Sequence, residues 1–441
     1  MPTLPDLSNI PRRQVFIVGT FFAAIILGVL LWFGLRPPAI DPNTQGDLTM
    51  WGVLDANQMK SFIDEVQRSL PGIKVQYREV DKESYDATLV DALAAGEGPD
   101  IFMVSDRDLP RQIGKIQPLL PEQFGIPRLR EFFPAVVEEQ FADKDGKIYG
   151  LPLYLDTLLL LYNKELFDQA GIVGPPKTWS AFEKIVPSLR SVGQNGNILQ
   201  SAAAIGGTKE SIATAVDLLN LLMIQGGAPM TSLDRRRALF SNMTSEGGSG
   251  QAAFDFYTKF GTTASPVYTW NDAQGDSIES FTAGKTAMIF DYWERIFEIQ
   301  KKAPFLKMRA ASMPQLSSTQ SINYPHYWAL TVSRQSRKQI PAWNFIIKAT
   351  TDSTLAYNFF KVSKLPPALN SIIASVPASS EYYVPVRQAL TARSWYEVSG
   401  REIDNIFSRA ISRAVTGQAT QSKALKEAED QISELMRTRR Q

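Results

Sequence analysis

The chain has 441 residues, 44% hydrophobic and 21% charged, an ordinary globular composition and too long for one typical core, so two lobes are expected. A net charge of +1 argues against a dedicated nucleic-acid binder. With no cysteine and one histidine there can be no disulfide, thiolate metal site, cysteine nucleophile or lipid-bearing N-terminal cysteine, and no cofactor is expected.

In chain order, residues 15–35, VFIVGTFFAAIILGVLLWFGL, carry no charge. At a helical rise this run reaches about 30 Å, enough to cross a bilayer. Arg12 and Arg13 precede it, which predicts a cytoplasmic N-terminus over 1–14 and an uncleaved anchor, although Arg36 on the far side thins the bias. A cleaved signal peptide is the rival reading; its apolar region is normally shorter, and no A-x-A-like site follows Leu35. Pro37, Pro38 and Pro42 make a stiff linker over 36–46.

From Asp47 the pattern is β-α-β-α-β. LTMWG is a strand, and Asp55 caps a helix whose Met59, Phe62, Ile63, Val66 and Leu70 share one face. IKVQYREV, 73–80, alternates as a strand does, 83–95 is helical up to Gly96, and PDIFMV, 99–104, is a third strand. This order implies right-handed crossovers and a mostly parallel sheet, with ligands beyond the carboxyl ends of the strands. Trp51, at the end of the first strand, and Asp106, just past the third, then fall on a cleft rim.

GKIYGLP leads into the apolar run Thr157–Asn163, a strand buried on both faces; Tyr154 and Asp156 stand just before it, where side chains can face a cleft. Asn163 opens a short helix that Gly171 stops, and Ser180 to Glu183 fits a capping box for the next. Gly206 and Gly207 would let backbone approach a ligand closely. TAMIF is a strand followed by Asp291, Tyr292 and Trp293; MRAASMP, 308–314, fits an extended crossing between lobes; YWALTV, 327–332, is a strand. Residues 340–360 are helical until Lys364-Leu365-Pro366-Pro367 breaks them, and the remainder is mainly helical. His326, beside Tyr327 and Trp328, fits a packed or hydrogen-bonded residue.

Four stretches carry a resemblance: LTMWGVLDANQMKSFIDEVQRSLPGIKVQY at 48–77, ALAAGEGPDIFMVSDRDL at 92–109, GKIYGLPLYLDTLLLLYNKELFDQAGIVGPPKTW at 146–179, and FTAGKTAMIFDYWERI at 281–296. Together and in this order they resemble the extracellular solute-binding proteins of ABC importers, in the sugar-binding branch that includes maltose-binding protein. The resemblance implies a two-lobed α/β fold of the periplasmic-binding-protein type (type II), each lobe a mostly parallel sheet flanked by helices. It implies a first lobe of 47–154 plus 312–363 and a second of 155–311 plus 364–441, with three crossings, near 155, 310 and 364, that let the lobes hinge shut on a ligand. It aligns Asp156 with a carboxylate that contacts sugar hydroxyls and Tyr292 and Trp293 with an aromatic stacking platform. Trp51, Asp106, Tyr154, Gly207, Trp328 and Trp395 complete the expected ligand contacts. The implied partners are a small ligand, a sugar or oligosaccharide as the aromatics of the chain favour, the permease subunits of an ABC transporter, and the membrane through the N-terminal helix.

Enzyme signatures are lacking: no G-x-S-x-G, HExxH, Walker loop or G-x-G-x-x-G occurs. The enzyme alternative is a two-carboxylate glycosidase using Asp106 and Asp156, because acidic pairs leave no recognisable spacing. A sensor or adhesin lobe would share the fold.

Overall fold

The computed structural model describes residues 45–194, 196–241, 249–317 and 319–438. The 15–35 run, on which the anchor rests, lies outside them. Among the described residues no helix is long and apolar enough to cross a membrane.

The strands, in order, are β1 Gly46–Gly52, β2 Ile73–Glu79, β3 Ile101–Ser105, β4 Ile116–Gln117, β5 Leu151–Pro152, β6 Asp156–Thr157 and β7 Leu159–Asn163. There follow β8 Ser191–Val192, β9 Ile198–Gln200, β10 Met288–Asp291, β11 Met308–Ala311, β12 Pro325–His326 and β13 Trp328–Ser333.

The first sheet runs β2-β1-β3-β13-β4, with β5 also on β13. In β2, Ile73 and Val75 are buried while Lys74, Gln76 and Arg78 are exposed, the alternation of a strand with one covered face. β3 is buried throughout. Between β1 and β2 the helix Ala56–Ser69 is capped by Asp55, which accepts from the N–H groups of Asn57 and Gln58, and it buries Met59, Phe62, Ile63 and Val66. β1 pairs in parallel with β2 and β3, but β13 is antiparallel to β3, β4 and β5. The insertion of β13 between β3 and β4 means that the chain leaves this sheet, builds something else, and returns.

What it builds is a second sheet, β10-β7-β11, in which β7 is antiparallel to both neighbours. The expectation of a mostly parallel sheet is therefore corrected for this lobe; in the first it holds by strand direction, since β4 and β5, both antiparallel to β13, run with β1, β2 and β3, and β13 alone runs against them. Helix-linked strands obey it: β10 and β11, joined through the helix Arg295–Lys302, run the same way. β7 arrives from the other lobe without a crossover helix and runs between them in the opposite sense. Its apolar sequence is explained all the same, because every residue of β7 is buried.

Two separate hydrophobic cores follow. One gathers side chains from Leu48 to Leu155 and from Tyr327 to Ala392; the other gathers Leu158 to Tyr324 and Val398 to Met436. The chain changes core at 155–158, 324–327 and 392–398, whereas the sequence placed the later exchanges near 310 and 364. β11 is no crossing; its Ala310 and Ala311 lie flat against Leu161 and Leu160 of β7. Lys364 does end the helix Ser353–Ser363, in a left-handed conformation (φ 61), yet Leu365, Ala368 and Leu369 fold back onto the first core. The first two crossings pair with each other as the ribbon β6–β12, which sets Asp156 opposite His326.

A smaller correction concerns the helix Trp179–Leu189. Its cap is Thr178, whose hydroxyl accepts from Ala181 N at 3.2 Å; Ser180 already lies inside the first turn.

Candidate functional site

The crossings bring a set of polar and aromatic side chains between the two cores. Asp156, on β6, is fully buried. It accepts from its neighbour Thr157 N at 2.8 Å and, across the chain, from Glu294 N at 2.9 Å. Burial pushes its carboxyl up to about 7, the Glu294 charge pushes the same way, and the backbone N–H groups pull back. Glu294, just after β10, is held below its ordinary range. Burial acts against this, but Lys82 of the first lobe, His326 and Arg295 together outweigh it. Lys82 Nζ reaches Glu294 Oε1 at 2.7 Å, a pair that spans the lobes.

His326 faces Asp156 across the ribbon. Its Nδ1 is 3.3 Å from Asp106 Oδ1. Burial lowers the imidazole, but Asp106 and Glu294 raise it further than burial lowers it, and Lys82 opposes them. Asp106 is buried and takes Gln140 Nε2 at 3.1 Å. The Tyr292 ring lies 5.1 Å from the His326 ring, and its hydroxyl donates to Asp217 Oδ2 at 2.8 Å. Trp293, in the second core, donates from Nε1 to the carbonyl of Lys364 at 3.0 Å and packs its ring 5.1 Å from Tyr382. Tyr154 is buried, bridged to Pro367, and its hydroxyl is raised well above the ordinary value by burial and then by the Glu294 and Asp156 charges.

Of the residues expected from sequence, Asp106, Tyr154, Asp156, Tyr292 and Trp293 thus meet around His326 and Glu294. Trp51 and Trp328 are linked to each other through Tyr85, whose hydroxyl donates to Trp51 O at 3.2 Å and whose ring meets Trp328 edge-on at 5.3 Å. Trp51 also carries the Arg78 guanidinium over its ring at 4.4 Å. Trp395 packs against the second core, and Trp328 and Trp395 hold buried indole N–H groups without an acceptor among the described residues. At Gly207 a Cβ would meet Ser211 Oγ at 2.5 Å, a close approach within the second lobe. At Gly206 (φ +102) it would meet Gly261 N at 2.3 Å.

Sequence reasoning missed a second group beside this one. Arg107, next to Asp106, inserts its guanidinium among Asp217, Glu397 and Asp404 of the second lobe. Asp217 had a signal: it is a carboxylate inside the apolar helix Ala215–Gln225. Arg107 had one too, since the rim argument applied to Asp106 covers its neighbour. Glu397 and Asp404 had none, because they stand far along the chain from their partner.

The two-lobed fold and the cluster where its crossings meet define a hinged binding protein, and the chain belongs to the bacterial extracellular solute-binding proteins, whose family model matches residues 61–383. It is 22% identical to a binding protein of Brucella abortus over 83% of this chain and 88% of the relative. It is also 22% identical to the mannitol-binding protein of Pseudomonas aeruginosa, over 66% of this chain and 70% of the relative. The solved sugar-binding protein of Xanthomonas citri is similar in fold, with a TM-score of 0.72 and 18% identity, covering 90% of this chain and 98% of that one.

Proposed function

We propose that this chain captures a carbohydrate outside the cytoplasm by lobe closure and presents it to the permease of an ABC transporter, tethered by residues 15–35 as an uncleaved N-terminal helix. The observation that carries the reading is the burial of Asp156, Tyr292 and Trp293 at the seam of the lobes, at 0%, 4% and 5% exposure: Asp156 on the crossing ribbon, and Tyr292 and Trp293 at the edge of the second core against His326 and the Lys364 carbonyl. Groups so covered meet a solute only if the lobes part and then close again. Their chemistry suits a polyhydroxylated ligand: a carboxylate accepts paired hydroxyls, and aromatic faces match the C–H faces of a sugar. The mannitol-binding and sugar-binding relatives favour the same class. We assign ligand contacts to Asp156, Tyr292, Trp293 and Asp106, with Trp51, Tyr154 and Trp328 on the first-lobe side and Gly207 and Trp395 as more distant candidates. No bond is made or broken in this reading.

The full chain should be screened by thermal shift against hexitols, monosaccharides and maltodextrins. A binding sugar raises the melting temperature in a saturable way, by mass action, and is recovered unchanged. Products in the mixture favour the glycosidase instead, and a response to peptides or polyamines alone removes carbohydrate as the ligand. For the tether, protease added to spheroplasts should digest the binding domain and leave a short membrane fragment. A mature chain that starts after residue 35 refutes the anchor.

A further inference from the structure

Arg107 stands two residues past the end of β3, between Val104 and Leu109 of the first core, yet its guanidinium lies among second-lobe carboxylates. Nε and Nη2 donate to Glu397 Oε2 at 2.9 and 2.7 Å. Nη2 and Nη1 donate to Asp404 Oδ1 and Oδ2 at 2.6 and 3.3 Å. Nη1 also lies 2.9 Å from Asp217 Oδ1. A guanidinium has five N–H donors; four of them donate to Glu397 and Asp404, and Asp217 adds its charge at ion-pair distance without a directed bond.

The socket is built to receive it. Asp217 and Glu397 are themselves held by the hydroxyls of Tyr292 and Tyr324, and Asn220 Nδ2 donates to the Tyr324 hydroxyl at 3.1 Å. Gly400 opens the entry: a Cβ at that position would sit 3.0 Å from the Arg107 Cβ. The Arg107 side chain keeps 11% exposure and Glu397 keeps 1%.

We infer that Arg107 is a positioning residue for closure: a charge latch that joins the first lobe to the second through Asp217, Glu397 and Asp404 while leaving its donors unavailable to the solute. This rests on the receptor reading above. Two consequences follow from the charges. Breaking a buried ion pair from one side leaves uncompensated charge behind, so loss of Arg107 opposes closure more than a missing contact alone would. When the lobes part, the latch groups return to water, where salt screens them, so added salt favours the open form. Apparent affinity is intrinsic affinity times the closed fraction, so a weakened latch weakens solute binding without touching the solute. The effect expected is on the order of 5–150-fold, the usual size of a coupling between equilibria.

The test reads closure directly, so it stands whether or not a sugar binds. The chain has no native cysteine, so exposed Lys74 and Lys184, one beside each core, can be changed to cysteine and spin-labelled in the full chain. Wild type at low salt should show the short interlobe distance. Arg107→Ala should shift the population to a longer one, and sub-denaturing guanidinium should restore the short distance by refilling the socket. The same ion should fail in Arg107→Ala combined with Glu397→Gln and Asp404→Asn. Should Arg107→Ala not fold, Arg107→Lys and Asp404→Asn give intermediate distances and a steeper response to salt than wild type. Unchanged distances in every folded variant overturn the latch. Longer distances that guanidinium cannot reverse overturn the charge mechanism.

Discussion

Asp156 shows what a single side chain can be asked to do here. A hydrogen bond to a charged group contributes about 1.5–3 kcal/mol. Asp156→Asn should therefore weaken sugar binding by roughly tenfold or more in calorimetry, since about 1.4 kcal/mol is a decade. Trp293→Ala should cost at least about 2 kcal/mol as a buried anchor, part of it through the lost bond to the Lys364 carbonyl. Wild-type affinity in both variants moves the site elsewhere. The same carboxyl predicts a pH dependence. Burial holds Asp156, Asp291 and Glu397 up to about 7 in the folded chain, against ordinary values of 3.8, 3.8 and 4.5. As pH rises from about 4 to 7 the unfolded chain releases these protons first, so these groups make the fold less stable over that window and add no further change above it. Asp143 and Asp352, held below their ordinary value, act in the opposite direction at lower pH. The useful quantity is thus the difference between Asp156→Asn and wild type, whose melting curves should converge in slope only above about pH 7. A variant with the wild-type slope between pH 4.5 and 6.5 contradicts the shift. Asp106, Asp156, Tyr292 and Trp293 were legible because each sits beside a local pattern, a strand end or a motif. Arg107 meets Glu397 across 290 residues, and no local pattern records such a meeting.

Among the elements, the first lobe was readable and the second less so. β1, β2, β3 and their helices followed from period and caps, because each is set by residues within a few positions. The sense of β7 depends on which core the chain has just left, and periodicity carries no direction. β11 shows the same gap: a short extended run is equally a sheet strand or a crossing until its partners are known. The glycine pair before the helix Ala215–Gln225 packs closely against Gly261 and Ser211. Gly206 tests that packing. With φ at +102 and a Cβ position 2.3 Å from Gly261 N, Gly206→Ala meets backbone that cannot swing aside. It should destabilise the second lobe by at least about 1–3 kcal/mol. Chemical denaturation followed by tryptophan fluorescence measures this, and a loss within error of zero shows that the loop yields.

At the level of the whole molecule, the division into two lobes was legible from length and resemblance, and so was the first crossing near 155, while the places of the two later crossings were not. A crossing is defined by a change of core, and cores are known only once distant residues are assembled. In the structure three crossings join the lobes, two of them paired as the β6–β12 ribbon. Such a joint bends at few positions and keeps both cores intact. Saturating sugar should therefore shrink the particle in solution scattering with no change in far-UV circular dichroism. Identical scattering with and without bound sugar counts against a hinged receptor.

The position of His326 has a practical consequence. It is the sole histidine of the chain, and it lies at the ribbon with Asp106 of the first lobe on one side and Tyr292 of the second on the other. An untagged sample labelled in histidine alone would show one imidazole in a nuclear magnetic resonance spectrum. That signal would come from the seam between the lobes, and its frequency would shift when the Tyr292 ring moves away. The protein thus carries its own probe of opening, installed without a single substitution.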